Sequence, residues 1–117
     1  MFVVSGVLLL AVSALLGFVQ KRHRQSPEAF AAWRVVHAGG TAGAVQLLAL
    51  AAIWEPMTAG HHWTAALAWA LIAVTWAFFI GPLARALGHR QIGAWINRAG
   101  AVVAVPAYIA LPAILLL

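Results

Sequence analysis

FVVSGVLLLAVSALLGFVQ, residues 2–20, carries no charged side chain. At about 1.5 Å of rise per residue it has the length that a helix needs to cross roughly 30 Å of hydrocarbon. It is too uniformly apolar for an amphipathic surface helix, and it lacks the basic leader and polar cleavage segment of a secretory signal. It therefore reads as a retained membrane span. Three further apolar runs follow. The second opens on Ser26-Pro27-Glu28, an N-cap, a first-turn proline and an acid favoured by the helix dipole, and continues to Trp54. The third begins near Trp63 and meets Gly81-Pro82 just after Ile80, where proline removes a donor and the helix is expected to kink or end. The fourth runs from about Ile92 to Leu117 with Pro106 and Pro112 inside it, which a membrane helix tolerates when neighbours satisfy the freed carbonyls. The expected class is all-α, a single integral membrane four-helix bundle with helices over about 2–20, 27–54, 63–84 and 92–117.

Composition agrees with this reading. The 117 residues are 65% hydrophobic and only 8% charged, with a mean hydropathy of +0.97, outside the range of soluble globular domains. Seven Lys and Arg stand against two Asp and Glu, but they lie in connectors between apolar runs rather than on one continuous face. That distribution excludes a nucleic-acid surface and instead orients the chain in the bilayer. Lys21, Arg22 and Arg24 follow the first run, Arg85 and Arg90 follow the third, and the connector Glu55 to His62 has neither Lys nor Arg. The positive-inside rule then puts both termini outside the cytoplasm. Trp33, Trp54 and Trp63 suit an aromatic belt, and Gly39 and Gly43, four apart, let another helix approach on that face. With no cysteine present, thiolate chemistry, disulfides and iron–sulfur clusters are excluded.

Few groups capable of chemistry remain at membrane depth. The second run offers Arg34, His37, Thr41 and Gln46, the first three along one stripe. The third offers Thr75 with Trp69 and Trp76, and the fourth offers Tyr108. Glu28 and Glu55 both sit at helix ends, which argues against a mid-membrane acid carrier and against carboxylate-pair hydrolysis. An ionisable residue held in hydrocarbon marks a site by default, and His37 is the one so held. Two readings stay open for it: a ligand to haem iron or another metal, or a packed side chain hydrogen-bonded to a carbonyl of a neighbouring helix. A bis-histidine haem would need a second facing imidazole, which this run of residues does not offer, so a haem here either borrows a second ligand or keeps one iron face open. His61 and His62 fall in the connector and are read mainly as exposed, with a metal contact as the outside alternative.

The stretch Trp33-Arg34-Val35-Val36-His37-Ala38-Gly39-Gly40, with Trp76 in the third run and Pro106-Ala107-Tyr108 in the fourth, resembles the membrane-bound styrene oxide isomerases. The resemblance implies a trimer in a bacterial inner membrane with haem b between subunits. His37 would be its axial ligand, Arg34, Gly40 and Thr41 would lie against the cofactor, and Tyr108 would be a catalytic pocket donor. It also implies the reaction: a small hydrophobic epoxide opens on the ferric iron as a Lewis acid, and a 1,2-hydride shift gives a carbonyl compound. The chain departs from the family at Gly43, Val74 and Pro82, which stand where the family has Asn, an acidic residue and Tyr. The alternatives are a non-catalytic haem- or metal-binding protein for electron transfer or delivery, and a structural or partner-binding membrane subunit.

Overall fold

The computed structural model describes residues 1–58 and 64–116. Four helices account for nearly all of them: α1 (Phe2–Arg22), α2 (Pro27–Thr58), α3 (Thr64–Ala86) and α4 (Arg90–Leu116). All four are long and apolar enough to span a membrane. The protein is an all-helical, multi-pass membrane protein. His61, His62 and Trp63 lie outside the described residues.

Helix ends follow from local chemistry. The carbonyl of Ser26 accepts the N–H of Phe30 at 2.8 Å, so α2 starts where Ser26-Pro27 predicts. The tight turn between α3 and α4 is a Schellman stop. His89 N–H donates to Ala84 O at 2.8 Å and Gly88 N–H to Arg85 O at 3.0 Å, with Gly88 at φ 95° where a side chain would be strained. Two expectations need correction. First, α3 does not end at Gly81-Pro82 but continues to Ala86 with Pro82 inside it. Second, α2 extends past Trp54 to Thr58, since a proline at position 56 restricts its preceding residue without ending a membrane helix.

The chain forms two hairpins, α1 with α2 and α3 with α4, joined chiefly along α2 and α3. Leu9, Val36, Leu47, Leu71 and Val74 are fully buried. Ala107 of α4 belongs to the same core cluster as Leu9, Val36, Leu47 and Leu71. Lipid is as apolar as leucine, so close packing and polar contacts, rather than removal of apolar surface from water, hold such helices together. Small residues supply the close packing. The approach occurs at Gly40 and Gly43, not at the expected pair Gly39 and Gly43. A Cβ on Gly40 would lie 2.8 Å from Ser13 Oγ and 2.9 Å from the Phe79 ring, and one on Gly43 would lie 2.7 Å from Thr75 Cγ2, whereas Gly39 faces open space. Trp33 also departs from the belt reading: it is buried and stacks on His23, ring centroids 5.7 Å apart. His23 Nδ1 in turn lies 2.9 Å from Val19 O, which ties the end of α1 to the start of α2.

Candidate functional site: an imidazole clasp between α1 and α2

At the centre of the first hairpin, α1 and α2 exchange hydrogen bonds through two side chains. His37 Nδ1 lies 2.7 Å from the carbonyl of Ser13, and Ser13 Oγ donates to the carbonyl of His37 at 2.7 Å. Thr41 Oγ1 donates to that same carbonyl at 2.9 Å and sits 3.0 Å from Ser13 Oγ. A carbonyl only accepts, so Nδ1 must carry the proton and Nε2 is left with a lone pair. Nε2 has no hydrogen-bond partner among the described residues. Such an Nδ1–H to carbonyl bond is the usual way to fix the tautomer and orientation of a ligating histidine.

Space beside the ring is kept by Gly17. A Cβ there would stand 3.2 Å from His37 Cε1 and 3.5 Å from Nε2. The half-buried imidazole opens onto a cleft of about 430 Å³ between α1 and α2. Its walls are Ala14, Gly17, Phe18 and Phe30, and Gln20, Lys21 and Arg24 form its polar edge. That volume falls within the range of small-molecule sites. Among the described residues no three His, Asp or Glu gather around a point where an ion could sit. The arrangement therefore offers one nitrogen ligand in an apolar cleft with a basic edge.

The other residues named from sequence distribute unevenly about this site. Thr41 belongs to the clasp, and Gly40 is packed beneath it between Ser13 and Phe79. Arg34 is exposed and lies outside the lining of the cleft. Tyr108 receives a hydrogen bond from the Gln46 amide. Gln46 stands nine residues beyond His37 on α2, about 14 Å along the axis and half a turn around it, so within one chain the phenol faces away from the imidazole. Thr75 is buried and bonds back to Leu71 O at 2.8 Å, while Trp76 Nε1 donates to Ser5 Oγ at 2.7 Å and bridges α3 to α1. Of the three departures from the family pattern, Gly43 is occupied by its contact with Thr75, Val74 is fully buried, and Pro82 lines a smaller cleft with Arg85 and Asn97.

Sequence reading passed over Ser13 and Gly17 and took Lys21 and Arg24 only as orientation signals. A small hydroxyl residue followed four positions later by glycine, inside an otherwise aliphatic run, is the signal that points to a close helix contact there.

Four membrane-length helices with one oriented imidazole open to a cleft define a small multi-pass membrane protein with a single-histidine site. The family model described as Styrene oxide isomerase matches residues 1–117, and the chain belongs to that family. Comparison with curated proteins and with solved structures returns no match.

Proposed function

We propose that this protein is a haem-b-dependent membrane isomerase that converts an aryl or alkyl epoxide to a carbonyl compound. Family membership supports the epoxide isomerase class. The observation that carries the cofactor is the Nδ1 bond of His37 to Ser13 O, because it leaves Nε2 as a neutral ligand nitrogen aimed away from the helix contact. The residues present fit a haem: one imidazole, a glycine beside it where any side chain would crowd the ring, and aromatic and aliphatic walls. When bound, ferric haem would supply a Lewis acid for opening an epoxide C–O bond.

The chain's own residues do the rest. His37 ligates through Nε2, and Ser13 and Thr41 hold it in place. Ala14, Phe18 and Phe30 give the cleft apolar walls, which matters because the isomerisation neither consumes water nor transfers a net proton, whereas water would divert the reaction to a diol. Gln46 occupies an oxygen lone pair of Tyr108 and leaves its O–H free to donate. Because Tyr108 faces away from His37 of its own chain, it would serve a neighbouring subunit's cleft, in keeping with a trimer. The positive connectors favour termini outside the cytoplasm of a bacterial inner membrane.

The test is the visible spectrum of the purified protein expressed with haem supply, followed by incubation with styrene oxide without reductant. A Soret band absent in His37→Ala, together with aldehyde formation by wild type, is expected. A Soret band without aldehyde would favour a non-catalytic haem protein. A colourless wild type would reduce His37 to a packing residue, a role that its bond to Ser13 O could fill by itself.

A further inference from the structure

An amphiphilic planar cofactor has two requirements: an apolar slot for its ring and cations for its carboxylates. The cleft beside His37 presents both: among the described residues, Lys21 and Arg24 are its charged lining and no acid lines it. Lys21 lies one helical turn beyond Gly17 on α1, about 6 Å toward the membrane boundary from the level of the imidazole. Its ammonium sits 5.6 Å from the Phe18 ring centroid. Phe18 is itself a wall of the cleft, so the charge is held along that wall.

Resting on the haem reading above, we infer that Lys21 and Arg24 form the carboxylate-binding pair of the site and hold the propionates of the cofactor that His37 ligates. Charge-assisted hydrogen bonds from Lys or Arg to carboxylate are the stronger kind. Arg34, which the family resemblance places against the cofactor, lies outside the lining of this cleft.

The experiment titrates cofactor-free full-length protein, in neutral detergent, with ferric haem and with its dimethyl ester, which has the same ring but no carboxylates. The readout is the Soret shift. Wild type is expected to bind the free acid about tenfold more tightly than the ester. The double variant Lys21→Ala/Arg24→Ala should bind both forms as weakly as wild type binds the ester, and Lys21→Arg should keep the preference. Unchanged ester binding by the double variant also reports that it is folded. The preference should survive in nanodiscs of anionic phospholipid. Its loss there would assign the pair to lipid phosphate. Equal wild-type affinities for the two forms, or a preference abolished by Arg34→Ala instead, would overturn the assignment while leaving haem binding intact. Failure of both forms to give a His37-dependent Soret band would instead remove the haem reading itself.

Discussion

The two hairpins solve the same problem differently. Between α1 and α2 the contact is polar and reciprocal, with Ser13 and His37 each bonded to the other's carbonyl. Between α3 and α4 the contact is backbone against backbone. A Cβ on Gly93 would collide with Gly81 O and lie 2.6 Å from Arg85 Cγ, while Asn97 at the same contact buries its Oδ1 with no partner among the described residues. Packing alone suffices to join two helices in lipid. A polar clasp adds something packing does not supply, a defined orientation for one ring. The hairpin that carries the clasp also carries the cleft.

Substitutions can break this contrast. Gly93→Ala is expected to have the largest effect, a loss of roughly 2–3 kcal/mol measured by steric trapping in micelles, because its neighbours are backbone atoms that cannot turn aside. A tolerated alanine would mean that the second hairpin is not held by close approach. Ser13→Ala comes next, at about 1 kcal/mol by the same method. It should also weaken haem binding, since the ring keeps its Nδ1 bond to the residue 13 carbonyl but loses the return bond that fixes the helix pair. Stability lost with no change in the haem titration would separate the clasp from the site. Asn97→Ala should be the mildest, within about 0.5 kcal/mol, because removing an unpaired buried oxygen offsets the small hole left behind. A cost matching that of Ser13→Ala would show that Asn97 has a partner after all and that both hairpins rely on polar contacts.

The fold was readable in the sequence because hydropathy is local: a span announces itself by length and composition without reference to the rest of the chain. The start after Ser26 is local for the same reason. His37 stood out as a candidate because an ionisable residue at that depth is costly wherever it faces. Its partners did not. Ser13 lies 24 residues away and looks like one small residue among many. The choice of Gly40 over Gly39 as a contact depends on which way α2 is rotated toward α1 and α3. That Tyr108 faces away from the imidazole of its own chain follows from its bond to Gln46, 62 residues away in sequence. Lys21 and Arg24 were visible only as a topology signal, because their place at the edge of the cleft depends on Phe18 and Gly17 facing the same opening.

The paired carbonyl bonds also fix a height. To slide α1 past α2 by even one residue would break both together, so the depth at which the first span sits is locked to that of the second. A thicker or thinner bilayer must then be met by leaning the hairpin as a unit or by deforming the lipid around it. The imidazole would ride with that unit, at a constant level relative to the basic turn whatever membrane surrounds it.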